Sequence, residues 1–349
     1  MPGATGGPNI LFNRIESNVL LNQKYNFVRL NQNRVAGGKI NLGLIIELKR
    51  EIQKEKPDII HISGMQSTGF HCMIAAVLAG CKNRIITTHG FSGDAINITP
   101  IKKMMFNNII EPLTLLFATR VHGISKYTTR KKMVKKYAKH KCCCIYNFPP
   151  TEKEGINSEG IRQKLGVGSE EVVFTTVSRV VLDKGYKQLA EAIRRLGSLE
   201  NIRFLIVGDG KYEDVFKKEV MNEIKSGKVI MLGKRKDVIN ILNESDVFVL
   251  PTLHENLGNV FLEASAVSIP SIGTSVGGVP EIIVNGETGI LIPPYDSRAL
   301  SEAILELYNK PNLRKDMGLK AYERLSVKFD PSEIAKQFDE LYSSILRNK

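Results

Sequence analysis

Short apolar runs alternate along this chain with longer stretches in which apolar residues recur at helical spacing. Runs of the first kind, closed by Gly, Pro or polar clusters, read as buried strands of a parallel sheet, and the longer stretches read as the helices that cover it. In the first half the pattern predicts helices over Asn9–Leu21, Gly43–Glu55, Phe70–Ala79 and Ile109–Ala118. Strands are predicted over Tyr25–Leu30, Pro57–Ile62, Arg84–Thr88, Arg120–Ile124 and Lys141–Tyr146. Asn147–Pro150 breaks regular structure and the polar stretch Thr151–Gly160 follows, which marks a domain boundary. The second half repeats the alternation, with strands over Glu171–Val180, Ile202–Val207, Val229–Leu232, Asp246–Thr252, Ser271–Thr274 and Gly289–Ile292. Its helices fall over Gly185–Leu196, Tyr212–Ser226 and Asp237–Asn243, from Gly258, and from Ser297 onward. The expectation is a pair of doubly wound α/β domains, residues 1–150 and 151–330, followed by a closing helix, Pro331–Leu346.

The stretch that organises the rest is Asp246–Ala266, DVFVLPTLHENLGNVFLEASA. A buried strand ends in a polar turn, and from Gly258 onward Val260, Phe261, Ala264 and Val267 recur at helical spacing. Glu255 lies in the turn and Glu263 about two turns inside the helix. At the carboxyl end of a parallel strand such a helix start offers unpaired N–H groups and a positive dipole end to an anion. Two carboxylates beside an anion cradle suit a ligand bearing both phosphates and hydroxyls, such as a nucleotide sugar. Arg179 and Lys184 flank another strand-to-helix turn, SRVVLDKG, where two cations five apart can both reach a diphosphate.

The segment E-N-L-G-N-V-F-L-E resembles the E-x7-E motif of the retaining GT-B glycosyltransferases, in particular family 4. The resemblance implies two Rossmann-like domains facing across a cleft, the first on the acceptor side and the second binding the nucleotide sugar. The closing helix, residues 331–349, is then expected to cross back onto the first domain. In the family's G-R-x(3-4)-K-G pattern, where Ser178 replaces the first residue, Arg179 and Lys184 would hold the diphosphate. Glu263 would accept hydrogen bonds from the ribose, and Glu255 one from a donor-sugar hydroxyl. Asn256, Leu257, Gly258 and Asn259 would stand at the sugar or phosphate, and His89, in THGF after a strand, at the donor sugar or the reacting centre. The base would lie against Gly233–Val238. Gly277 and Gly278 read either as donor-loop glycines or as plain turn formers. Gly6 and Gly7, in GATGGP, read either as a ligand-binding turn or as a tail; no strand precedes them, and a natural start upstream of Met1 is expected. The implied reaction is sugar transfer with retention, by same-face attack, from a nucleotide diphosphate sugar to an acceptor hydroxyl. The transferred group would be a hexosyl or N-acetylhexosaminyl unit. No cofactor is expected, and without an Asp-x-Asp motif no metal. A non-catalytic nucleotide-sugar or membrane-binding protein, a phosphorylase and an epimerase are the alternatives on the same fold.

Charge adds a second theme. Residues 1–150 carry 22 Lys and Arg against 7 Asp and Glu, whereas the remainder has 27 against 29, so the whole net charge of +13 arises in the first half. Its densest piece, Lys126–Lys141, reads as a basic helix with Tyr127, Met133, Val134 and Tyr137 on its other side. That helix is either a solvated face or a surface attracted to anionic membrane, where each nearby Lys or Arg contributes roughly 1 kcal/mol. With no zinc-ligand, RNP or helix-turn-helix pattern beside the charge, no nucleic-acid partner is expected. No apolar run approaches the roughly 20 residues of a membrane span, and the first residues show no signal-peptide pattern. Five Cys without metal-ligand spacing fit a reduced compartment, so a cytoplasmic enzyme, peripheral at the inner membrane face, is expected. Its acceptor would be a glycan or a lipid-linked glycan.

Overall fold

Residues 7–30, 32–34, 36, 40–94, 99–150 and 160–347 are described in the computed structural model of the chain. They fall into two units, Met1–Phe148 with Pro331–Lys349, and Pro149–Asp330.

The first unit opens with helices α1 (Gly7–Ser17) and α2 (Val19–Lys24), separated by Asn18, whose side chain accepts from the Leu21 N–H at 3.2 Å and so caps α2. Helix α3 (Leu42–Glu55) starts in the same way at Asn41 and buries Leu44, Ile45, Leu48 and Ile52, the stripe its periodicity predicts. There follow β1 (Ile60–Ser63), α4 (Ser67–Leu78), β2 (Arg84–Thr88), and α5 (Pro100–Met105), which a π turn (Phe106–Ile110) joins to α6 (Glu111–Phe117). Next come β3 (Arg120–Gly123), α7 (Lys126–Thr129), α8 (Lys132–Tyr137) and β4 (Cys142–Cys144). The four strands are parallel and lie in the order β1-β2-β3-β4. Ile60, Ile62, Ile86 and Val121 share one core with residues of α3, α4 and α6.

Two sequence expectations change here. Tyr25–Leu30 is extended but joins no ladder; its two aromatic side chains meet the chain's last helix instead, the Tyr25 hydroxyl donating to Asp339 Oδ1 at 2.5 Å and the Phe27 ring lying 6.4 Å from that of Tyr342. Lys126–Lys141 is not one helix but α7, α8 and a 3-10 turn, Lys139–Lys141. Ser125 and Thr128 form a capping box that sets α7. Arg130 closes α7, and the extended backbone of Lys131 (φ −56°, ψ 139°) separates it from α8. The Cys142–Cys144 strand is half-buried, and burial pushes the Cys142 thiol up to about 12 and the Cys143 thiol up to about 11, which leaves both inert.

The second unit runs α9 (Ile161–Lys164), β5 (Val172–Val177), α10 (Tyr186–Arg195), β6 (Ile202–Val207), α11 (Glu213–Glu219), α12 (Met221–Lys225), β7 (Val229–Gly233), α13 (Val238–Asn243) and β8 (Val247–Leu250). It continues through α14 (Asn259–Ala266), β9 (Ser271–Thr274), α15 (Val279–Ile282), β10 (Gly289–Ile292), α16 (Ser297–Asn309) and α17 (Pro311–Lys328). The helix expected over Tyr212–Ser226 breaks at Val220 (φ −119°), which is fully buried. All six strands are parallel, in the order β10-β9-β8-β5-β6-β7. Phe174, Phe204, Tyr186 and Phe216 lie in one core beneath α10, α11 and α16.

Helix α18 (Pro331–Leu346) returns to the first unit and buries Ile334, Ala335, Phe338, Leu341, Tyr342 and Ile345. Phe338 stacks on Phe148 and meets the His122 ring edge-on at 5.0 Å. Below it runs a chain of polar groups whose direction is fixed by its last member. The Ile145 carbonyl can only accept, so His122 Nε2–H donates to it at 2.7 Å; His122 Nδ1 then accepts from the Thr87 hydroxyl at 2.9 Å. Thr87 in turn accepts from His61 Nε2–H at 2.7 Å, and His61 Nδ1 accepts from the Tyr342 hydroxyl at 2.9 Å. Burial holds His122 down to about 4 and His61 well below the ordinary imidazole range, so both rings are neutral and each keeps one tautomer.

Candidate active site

The strand order of the second unit creates one place where the winding reverses. From β5 the chain proceeds outward through β6 to β7, and β8 then returns to the other side of β5 and leads away through β9 to β10. Between the carboxyl ends of β5 and β8, adjacent through the Phe174–Val247 and Thr175–Phe248 pairs, the two following loops part, and open α/β sheets bind ligands at such a point. The loop after β5 carries Arg179 and Lys184; the loop after β8 carries Glu255 and runs into α14.

These loops are fastened to each other. The Asp183 carbonyl accepts from the Leu253 N–H at 2.8 Å and from the Thr252 hydroxyl at 3.3 Å, and the Thr274 hydroxyl donates to the Thr252 carbonyl. Across the clip, Lys184 Nζ donates to Glu255 Oε2 at 2.6 Å, with only 14% and 19% of the two side chains exposed. Glu255 Oε1 accepts from the Asn256 N–H at 3.2 Å, which leaves the carboxylate little freedom. Arg179 is exposed and forms no ion pair among the described residues, so its planar fork is available to an anion. Sequence reasoning missed Asp183, Thr252 and Thr274. The signal for them was a Thr at each of two strand ends and an Asp beside the expected cation.

Two glycines shape the Glu255 loop. Gly277 has φ +59°, and a Cβ there would stand 1.6 Å from the Glu255 carbonyl; the Gly278 N–H donates to the same carbonyl at 3.2 Å. Of the two readings open in the sequence, the geometry gives this pair a scaffolding task, seating the 255–257 backbone. Gly258 caps α14 at φ +93°, and its absent side chain makes room for Phe261 and for Glu255 Cγ. Leu257 is buried, whereas Asn256 and Asn259 are half-buried. Glu263 is half-buried and stands five residues beyond the cap, nearer the helix start than the two turns its spacing suggested. Gly233, at φ +61°, ends β7, and Val238 begins α13, so both lie on the same sheet edge two strands out from β5. An Arg235–Asp237 pair, at 2.6 Å, sits between them.

In the first unit His89 follows β2, its Nε2 3.1 Å from Ser63 Oγ at the end of β1. Burial, with His122 nearby, pushes it down to about 3; it is a neutral hydrogen-bonding group at physiological pH rather than a charge. The turn just beyond it, Ser92–Asp94, is pinned by the buried Glu111, which accepts from the Ser92 N–H at 2.7 Å and whose carboxyl burial pushes up. Gly7 opens α1, and Gly6 lies outside the described residues. Among the described residues no cluster of His, Cys, Asp and Glu is arranged to hold a metal ion, and no helix is long and apolar enough to cross a membrane.

Comparison with known proteins gives the chain a family and a fold. The family described as "Glycosyl transferases group 1" matches residues 157–324, and "Glycosyl transferase 4-like" matches residues 10–114. The chain is 28% identical over 304 residues to the capsular polysaccharide biosynthesis glycosyltransferase CapM of Staphylococcus aureus, covering 84% of this chain and 78% of that protein. It is 30% identical over 273 residues to the UDP-Gal:alpha-D-GlcNAc-diphosphoundecaprenol alpha-1,3-galactosyltransferase of Escherichia coli, covering 75% and 69%. Among solved structures, Anabaena Alr3699/HepE in complex with UDP and glucose superposes with a TM-score of 0.79 at 19% identity, covering 98% of this chain and 97% of that one.

Proposed function

Because this chain belongs to the group 1 glycosyltransferases and has their GT-B fold, we propose that it moves a hexosyl or N-acetylhexosaminyl unit from a nucleotide diphosphate sugar to an acceptor hydroxyl, with retention of configuration. The observation that carries the reading is the convergence of Arg179, Lys184 and Glu255 on the point where the second sheet reverses its winding. In this assignment Arg179 and Lys184 take the diphosphate, and Glu255 accepts from a sugar hydroxyl. Glu263 accepts from the ribose, and the N–H groups at the start of α14 add their dipole. The base lies along Gly233–Val238.

Catalysis then rests on stabilising the negative charge that gathers on the departing diphosphate while donor and acceptor are held in reactive geometry. The leaving phosphate takes the acceptor's proton on the face it vacates. The relatives' printed roles in capsular polysaccharide and diphosphoundecaprenol-linked glycan assembly favour a glycan or lipid-linked acceptor, and the basic first half favours an anionic membrane surface nearby. A thermal-shift panel of UDP- and GDP-sugars tests the donor assignment, followed by release of nucleoside diphosphate with and without acceptor. Stabilisation by one base and one sugar together with slow donor hydrolysis supports it; stabilisation without any turnover makes the protein a binder, and no stabilisation at all removes the donor assignment.

A further inference from the structure

We infer that the Lys184–Glu255 ion pair makes this site discriminate between the sugar-bearing nucleotide and the bare nucleoside diphosphate that transfer leaves behind, retaining the first and expelling the second. The inference rests on the donor reading given above.

In the free protein the two groups satisfy each other at 2.6 Å, both mostly shielded from water. Their backbones are fixed and only the side chains can turn: the Lys184 turn is fastened through Asp183 to Leu253 and Thr252, and the Glu255 carbonyl is held by the Gly278 N–H. An incoming diphosphate draws on the Lys184 ammonium while Arg179, already exposed, needs no release. If Lys184 turns wholly to the phosphate, Glu255 keeps a poorly hydrated charge without its cation; if it serves both, a carboxylate stays beside the diphosphate. Either way the bare diphosphate meets a like charge that is only partly neutralised. A sugar on that diphosphate changes the balance, because its hydroxyls are donors and the ionised carboxylate is an acceptor. The donor thus replaces what it takes from Glu255, and the product does not. Re-forming the ion pair accompanies release of the product.

Calorimetric titration of UDP, of GDP and of the sugar nucleotide giving the largest thermal shift, into wild type, Glu255→Gln, Lys184→Met and the double variant, tests this. Glu255→Gln is expected to bind the bare nucleoside diphosphate about tenfold more tightly, about 1.4 kcal/mol, without gaining affinity for the sugar nucleotide. The gain should shrink in the Lys184→Met background, where no ion pair exists to be broken, and Glu255→Ser carries the same expectation should the amide disturb the loop. Unchanged or weaker binding of the bare diphosphate by both Glu255 variants overturns the inference, as does an equal gain for diphosphate and sugar nucleotide. Failure of every nucleotide to bind the wild type is a different result, which overturns the donor reading as well.

Discussion

On the donor assignment proposed above, Glu263 and Lys184 separate two tasks that a nucleotide-sugar site has to perform. Glu263→Ala removes charge-assisted hydrogen bonds to a part of the ligand that does not react, worth roughly 1.5–3 kcal/mol, so the expected outcome is a rise in the donor's KM of tenfold or more with a smaller change in kcat. Lys184→Ala removes a cation from the group on which charge accumulates, so the expected loss is mainly in kcat. Steady-state kinetics of both variants check the division. Gly277→Ala belongs at this scale too: its Cβ would stand 1.6 Å from the Glu255 carbonyl, at φ +59°, so the Glu255 loop must shift, and weakened donor binding with a lowered urea midpoint is expected. The buried imidazoles set a pH dependence. His122 is held down to about 4 from the ordinary 6.5, so below pH 6.5 the unfolded chain binds a proton that the folded chain refuses. The stabilisation is complete above 6.5 and is lost as the pH falls toward 4, about 3 kcal/mol for this one ring. The Tm should drop across that window, less steeply in His122→Gln, which keeps a donor for the Ile145 carbonyl.

Helix α18 is the element on which the first unit's second face depends. Phe338→Ala opens a cavity against Phe148 and His122 and should cost 3–5 kcal/mol, roughly, whereas Tyr342→Phe leaves His61 Nδ1 buried without its donor, at about 1–3 kcal/mol; urea midpoints of the two variants rank them. Elements such as this one were legible in the sequence because their signals are local. Pro331 starts α18 and its apolar stripe keeps helical spacing, and the runs Ile202–Val207, Ser271–Thr274 and Gly289–Ile292 are strands at those bounds because each is a short apolar run between turn residues. Tyr25–Leu30 has the same apolar and aromatic content but sets its rings, Tyr25 and Phe27, against α18, a partner more than three hundred residues away that no local pattern announces. The basic run 126–141 differs in another way: its periodicity is real, but the extended backbone at Lys131 divides it into two short helices. At the candidate site, Arg179, Lys184 and Glu255 were legible as residue types in the loops after strands, and Glu263 as one in the helix that follows. Their geometry was not, since the 2.6 Å ion pair joins loops 71 residues apart in the chain.

The whole molecule carries its net charge of +13 entirely in its first 150 residues, and a consequence for location follows. Flotation with vesicles containing anionic lipid should carry the protein upward at low salt, and raising the salt to shrink the Debye length to a few ångströms should release it; equal behaviour with purely zwitterionic vesicles would remove the membrane proposal without touching the donor assignment. The return of α18 bears on how the chain is made. Pro149–Asp330 is one uninterrupted stretch, whereas the unit that starts first also needs Pro331–Lys349. On the ribosome, where the amino-terminal part of most chains folds first, the later unit is therefore ready to close its core while the earlier one waits, with the sheet face bearing His61, Thr87 and His122 uncovered, until the last helix emerges.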